Sequence, residues 1–229
     1  MERLDKILSN LGYCSRKQSL HFLKDYEVTC DGKLLSDPSE RVDAKKILID
    51  NEPLDHPGGI FIILNKPVGY VCSHDMSDGR LIYELLPEQW MCRNPVPETV
   101  GRLDKDTTGV ILITDNTKLV HVLTTPKRAI GKTYEVTVDK PLSGDLIDQF
   151  SSGTLLIEKE VKPLLPAALT IIDETHAEVV LHEGRYHQVK RMFSHFGYTV
   201  TALNRSKFGE YKAEGIEVGS WKDMEMPVY

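Results

Sequence analysis

Gly101-Arg102-Leu103-Asp104-Lys105-Asp106-Thr107-Thr108-Gly109 runs directly into Val110-Ile111-Leu112-Ile113. The first nine residues read as a glycine-bounded turn that sets the Asp104 carboxylate between two basic side chains. The apolar, β-branched run behind it reads as a buried strand. A charged residue on such a turn, at the edge of a buried strand, is a rigid mount for a reactive group. Two local alternatives stand beside this reading. Asp104-x-Asp106-x-Thr108-Gly109 matches half of a calcium loop, but its ninth and twelfth positions fall on Leu112 and Asp115, and strand follows where loop and helix are needed. A purely structural turn is the other.

The chain has 229 residues, enough for one large domain or a small and a medium one. No apolar run approaches the roughly 18 residues of a membrane span, so no membrane partner is expected. Met1-Glu2-Arg3-Leu4-Asp5-Lys6 lacks the apolar stretch of a signal peptide. Cys14, Cys30, Cys72 and Cys92 form no C-x-x-C pair, which points to neither zinc nor a redox motif. The expectation is a cytoplasmic chain with reduced thiols and no metal, monomeric by default. The net charge of −6 argues against bulk attraction to nucleic acid. Local distribution matters more. No acidic residue occurs from Arg185 to Phe208, a stretch that carries Arg185, Lys190, Arg191, Arg205 and Lys207 with His187 and His195 among them. Lys127, Arg128 and Lys132 form a second cluster. Each reads alone as solvated surface charge; two clusters flanking one candidate site favour an RNA partner.

Leu4, Ile7, Leu8 and Leu11 have helical spacing, closed by Gly12. Ser15 with Gln18 is a capping-box signature for a second helix over Arg16 to Lys24. Asp31-Gly32 between Val28-Thr29-Cys30 and Lys33-Leu34-Leu35 predicts a hairpin, because both central residues accept positive φ. Ile47-Leu48-Ile49 reads as a strand, and Asn51 to Gly59, with two prolines and two glycines, as a linker. These signals divide the chain into residues 1–57 and 58–229. In the second part, strands are expected at Ile60–Leu64, Val110–Thr114, Thr133–Val138, Leu169–Ile172, Ala177–Leu181 and Thr199–Leu203. Helices are expected at Leu81–Leu86, Lys118–Leu123, Leu142–Phe150 (capped by Ser143) and Tyr186–Phe196. Strand pairs dominate, so the fold class is α+β, a small N-terminal domain plus a larger one on a mixed, mainly antiparallel sheet with a central cleft.

Arg3-Leu4-Asp5-Lys6, Gly12, Ser15-Arg16 and Val28 through Asp31-Gly32 resemble the small RNA-binding domain named for ribosomal protein S4. The resemblance implies that Arg3, Lys6, Arg16 and Lys17 face RNA phosphates. Nine basic against eleven acidic residues in 1–57 make that domain's affinity modest. A structural helix pair is the alternative. Arg102-Leu103-Asp104, Lys132-Thr133-Tyr134 and Glu183-Gly184-Arg185-Tyr186-His187-Gln188-Val189-Lys190-Arg191-Met192, in that order, resemble the three signature motifs of pseudouridine synthases, and Asn65-Lys66-Pro67-Val68-Gly69 resembles that family's first strand and turn. The likeness is greatest to the branch acting on small-subunit, 16S ribosomal RNA; large-subunit enzymes usually carry Asn-Arg-Gln or Asn-Arg-Glu where this chain has Tyr186-His187-Gln188.

The implied reaction isomerises uridine to pseudouridine without oxidation or hydrolysis, so no cofactor is expected. The resemblance makes Asp104 the covalent nucleophile, Tyr134 the ring that stacks on uracil and assists proton removal from carbon 5, and Lys190, with Arg191 second, the cation that keeps Asp104 ionised. Attack at the anomeric carbon, attack at carbon 6 and a glycal route all stay open. Arg102 is expected to fill the vacated place in the RNA or hold a phosphate. Lys132, Arg185, His187, Arg191 and Arg205 are expected to contact RNA, with local packing the alternative for His187; Asp106 is expected to shape the turn. Rival readings are a large-subunit target, a non-catalytic ribosome-assembly protein, and a nucleosidase releasing free uracil.

Overall fold

Local chemistry accounts for the first unit. In the computed structural model, which describes residues 1–227, the predicted apolar spacing produces helix α1 (Leu4–Asn10). Its buried face meets Val28, Leu35, Val42, Ile47 and Leu54 in one apolar cluster. Ser15 and Gln18 bond as expected, Ser15 N–H donating to Gln18 Oε1 at 3.2 Å. They close a separate turn, however, and α2 (Ser19–Asp25) begins only after it. Asp31 and Gly32 take φ of +51° and +76° and join β1 (Val28–Cys30) to β2 (Lys33–Leu34). β3 (Ile47–Ile49) pairs with β1. The stretch expected to be linker throughout contains a strand, β4 (Glu52–Pro53), on the outside of β3. An edge position tolerates Pro53 because no neighbouring strand requires its missing N–H.

Asp5 anchors the start of α1. Its carboxylate accepts from Arg3 Nε and Nη2 at 3.1 and 3.0 Å and from Arg16 Nη2 at 3.2 Å. The Arg3 bonds, followed in effect by Arg16, hold its carboxyl at about 2.

The two units touch directly. Asn94 N–H donates to Asn10 O at 2.9 Å and Gln89 Nε2 to Leu11 O at 3.3 Å, while within the first unit Asp55 N–H donates to Tyr13 Oη at 2.8 Å. A buried guanidinium secures the connecting chain: Arg93 donates to Asp115 Oδ2, Asp55 O and His56 O at 3.1, 3.1 and 3.0 Å.

The second unit is built on β5 (Phe61–Lys66), β6 (Thr108–Thr114), β7 (Lys132–Val138), β8 (Ala168–Ile171), β9 (His176–Leu181), β10 (Val200–Phe208) and β11 (Trp221–Asp223), with helices α3 (Thr117–Thr124), α4 (Asp145–Ser151) and α5 (Gln188–His195). The sheet order is β8-β9-β7-β10-β6-β5-β11. Neighbours are antiparallel except β6 and β10, which run parallel through Thr108↔Asn204 and Gly109↔Arg205. The sheet is therefore mixed and mainly antiparallel, as expected. Its middle is covered on both faces. Phe61, Ile63, Val110 and Leu112 pack with Leu119 and Leu123 of α3, while Ile62, Leu64, Ile111 and Ile113 pack with Tyr83 and Trp90. Burial on both sides explains why β5 and β6 read as continuous apolar runs without alternation.

Several expectations are adjusted. The segment at 81–86 is a 3₁₀ turn, Ile82–Leu85. α4 starts at Asp145 with Gly144 as its N-cap and no side-chain cap, and the Ser143 N–H donates to Tyr198 Oη at 3.1 Å. β10 continues five residues past the expected Leu203, and β11 was not anticipated.

Gly109 permits the parallel pairing. It sits at φ +99°, and a Cβ there would lie 2.3 Å from Arg205 O and 2.4 Å from Asn204 Oδ1. Gly109→Ala is expected to destabilise the protein by about 2–4 kcal/mol in urea unfolding. Asp5 gives a pH prediction. A folded carboxyl held at about 2, against about 3.9 unfolded, adds stability that is present above pH 4 and lost as pH falls toward 2. Acid titration should loosen the first unit in that window, and Asp5→Asn should be less stable at neutral pH with a flatter acid limb; an unchanged limb would refute the assignment.

Candidate active site

The Asp104 turn rests on a buried ammonium. Lys66, at the end of β5, has no exposed surface. Its Nζ donates to Thr107 O at 2.8 Å, Asp104 O at 3.0 Å, Pro67 O at 3.1 Å and Lys105 O at 3.3 Å. Three N–H donors thus face four carbonyls. Burial pulls this lysine below its ordinary range. Gly69 N–H adds a bond to Lys105 O at 2.8 Å, and Thr107 N–H one to Asp104 O at 3.1 Å. The backbone around Asp104 is therefore held from below and from both sides.

With its main chain held, the Asp104 side chain projects toward α5. Its Oδ2 accepts from Lys190 Nζ at 2.9 Å, and its Oδ1 lies 3.3 Å from His187 Nε2. Lys190 Nζ also donates to Asp106 Oδ1 at 2.5 Å. Burial alone would lower Lys190; the bonds to Asp106 and Asp104 outweigh it and hold the ammonium above its ordinary range. The same bond to Lys190 holds Asp106 below the usual carboxylate range. Asp104 and Lys190 are 28% and 22% exposed at the side chain, half-buried at the edge of a cleft and so reachable by a ligand. This occupancy of both carboxylates by one ammonium, with strand from Thr108 onward, disfavours the calcium-loop reading.

The cleft has a volume of about 500 Å³ and is lined in part by Arg102, Asp104, Lys132, Tyr134, His187 and Arg205. Tyr134 is the third residue of β7, next to a break in register with β10 between Thr133 and Tyr134. Such bulges re-aim side chains beside active sites. Its side chain packs against two of the apolar clusters.

The expected RNA contacts fare unevenly. Arg102 is exposed at the cleft and, among the described residues, makes no hydrogen bond or ion pair. Lys132 is half-buried, its Nζ donating to Ile130 O at 3.0 Å and lying 5.4 Å from the Phe208 ring centroid. Burial and then Arg205 lower it from its ordinary value. Arg205 is not among surface cations: it is 2% exposed, and its Nε donates to Val110 O at 2.8 Å, because β10 is central in the sheet. Arg185 and Arg191 do not extend outward either. Arg185 Nη1 and Arg191 Nη1 reach Glu160 at 2.8 and 2.7 Å, and Arg185 also binds Glu183 Oε2, Lys162 O and Pro163 O at 3.0, 2.9 and 2.7 Å. Lys190, not Arg191, therefore faces Asp104. In the first unit, Arg3 and Arg16 share Asp5, Lys6 pairs with Glu2 at 2.6 Å, and Lys17 is exposed.

His187 precedes α5 with φ +48° rather than lying in it, so the expected helix from Tyr186 begins two residues late. Three residues of the site escaped sequence reasoning: Lys66, Asp106 as second partner of Lys190, and Glu160. Lys66→Met should leave the ring of carbonyls unsatisfied and destabilise the protein by about 3 kcal/mol or more, read from urea unfolding; a loss below 1 kcal/mol would show that the ring does not hold the turn.

The RNA pseudouridylate synthase family matches residues 60–195, and the S4 domain family matches residues 2–48. The chain is 37% identical over 227 residues to the ribosomal small subunit pseudouridine synthase A of Vibrio parahaemolyticus, covering 96% of this chain and 94% of that one. It is 36% identical over 211 residues to the protein of that name from Escherichia coli K12, covering 90% and 89%. A crystal structure of a pseudouridylate synthase superposes with a TM-score of 0.68 at 32% identity, covering 98% of this chain and 96% of that one. Matched by that family over more than half its length and 37% identical to a pseudouridine synthase across nearly all of it, the chain belongs to the RNA pseudouridylate synthase family.

Proposed function

We infer that this protein isomerises a uridine of 16S ribosomal RNA in the small subunit to pseudouridine. The observation that carries the reading is the Asp104–Lys190 pair at 2.9 Å beside Tyr134 in a cleft of nucleotide size. The target uridine leaves its stack and enters the cleft. Asp104, ion-paired with Lys190, is the nucleophile. The Tyr134 ring stacks on the uracil, an interaction of about 1–3 kcal/mol that offsets unstacking. In the route written through the anomeric carbon, the Asp104 carboxylate bonds that carbon as the N-glycosidic electron pair leaves with N1, the base turns, and carbon 5 then bonds the anomeric carbon as the Asp104 carboxylate departs. The proton on carbon 5 is removed with help from the Tyr134 hydroxyl and N1 takes up a proton, which restores the enzyme. Arg102, with its charge unpaired at the rim, holds the adjacent phosphate or occupies the vacated place.

The small-subunit target is supported by the names of the similar proteins and by Tyr186-His187-Gln188. Residues 1–57 hold RNA while residues 58–229 do the chemistry. With a net charge of −6, recognition relies on RNA shape, in a partly assembled ribonucleoprotein, more than on bulk attraction.

Asp104→Asn is expected to fold and bind RNA but form no detectable pseudouridine. Lys190→Met should cut turnover by at least about 100-fold while changing RNA affinity less than threefold. A carbodiimide map of 16S RNA from cells with and without the gene reads the product site. Substantial product from Asp104→Asn would sink the nucleophile role, and equal losses in turnover and affinity for Lys190→Met would make that residue a phosphate contact.

A further inference from the structure

Tyr186 is 73% exposed, a large aromatic ring among the residues that line the cleft. One face lies on His187, with ring centroids 3.8 Å apart and planes 16° from parallel. His187 in turn places Nε2 3.3 Å from Asp104 Oδ1. Among the described residues, the Tyr186 hydroxyl makes no hydrogen bond. The residue thus offers a ring face, not a polar group, one ring removed from the carboxylate.

The backbone beneath is locked. Arg191 Nη1 donates to Tyr186 O at 3.1 Å, and His187 is held in the left-handed region, which is costly for a residue with a side chain. Arg185 and Arg191 converge on Glu160 and tie the 158–163 loop to this segment. Two arginines that look in sequence like phosphate contacts therefore brace the Tyr186–His187 pair. Bracing of this kind lowers the ordering cost of binding.

Exposing a large aromatic to water is unfavourable unless something covers it. In an RNA enzyme the covering group with matching geometry is a nucleobase, since every base presents a π-face and stacks on aromatic rings with little sequence preference. A uridine turned into the cleft leaves its two neighbours at the rim, where Tyr186 stands. We propose that Tyr186 is a stacking platform for the base of a nucleotide adjoining the target uridine, with His187 as the second layer of the stack. This subsite rests on the isomerase reading and extends it: the target base stacks on Tyr134 inside the cleft, and its neighbour stacks on Tyr186 outside.

The test uses the full-length protein and a 16S ribosomal RNA substrate whose modified uridine has been mapped. Tyr186→Ala should raise KM about 10- to 100-fold with a fall in kcat below threefold, and Tyr186→Phe should restore KM, because the ring and not the hydroxyl makes the contact. Removing one base, as an abasic site on either side of the uridine, should raise the KM of the wild-type protein to that of Tyr186→Ala on one side and cause no further loss in the variant. Independent, multiplying effects of the two changes would overturn the proposal, as would an unchanged KM in Tyr186→Ala. A loss confined to kcat would also overturn it, marking Tyr186 as a buttress for His187 and Asp104. Absence of pseudouridine with wild-type protein would strike the isomerase reading itself, which separates the two failures.

Discussion

The Lys66 ammonium is the point on which the site depends. It stands where the end of β5 meets the Asp104 turn, with no solvent contact, and its charge is spread over the carbonyls of Asp104, Lys105 and Thr107 as well as Pro67. A turn of that length would otherwise expose its carbonyls to water or leave them unpaired. Directed inward onto a single cation, they leave the Asp104 side chain on the opposite side, toward α5. Desolvating a lysine is costly, and the many bonds compensate. The result is a rigid mount for the Asp104 side chain.

Charge compensation also shapes the segment beside the site. The acid-free stretch from Arg185 to Phe208 looks like an RNA-binding strip, but most of its cations are engaged within the fold. Glu160 takes Arg185 and Arg191, Asp104 and Asp106 take Lys190, and Arg205 is buried in the sheet. Sequence spacing cannot show this, because Glu160 lies 25 and 31 residues from its partners. Arginine is suited to these sites, since its planar fork bonds carboxylates and carbonyls together.

What was legible in the chain follows from range. The Asp31-Gly32 hairpin, the spacing of α1 and the run of β6 depend on neighbours in sequence, and each appears within a residue or two of its expected place. The ordering of Asp104, Tyr134 and Lys190 was legible through motif resemblance; their convergence needed the fold. Features set by distant partners were not legible. Lys66 reads as an ordinary turn lysine, and the carbonyls it binds lie up to 41 residues away. Trp221–Asp223 has no periodicity to mark it, and becomes a strand only because β5 offers an open edge. Pro53 looks like a linker residue until β3 pairs with it from one side.

The parallel contact between β6 and β10 also governs the order in which the molecule can assemble. Thr108 and Asn204, bonded at 3.0 Å, are separated by 96 residues, so closing this contact carries the entropic cost of a long loop. Hairpins such as β8–β9 face no such barrier. The strand that brings the Asp104 turn into register is therefore clasped on its second edge late, after the intervening chain has organised. Nascent or partly folded forms of the protein hold the ingredients of the site without its geometry, and competence for chemistry comes with completion of the sheet.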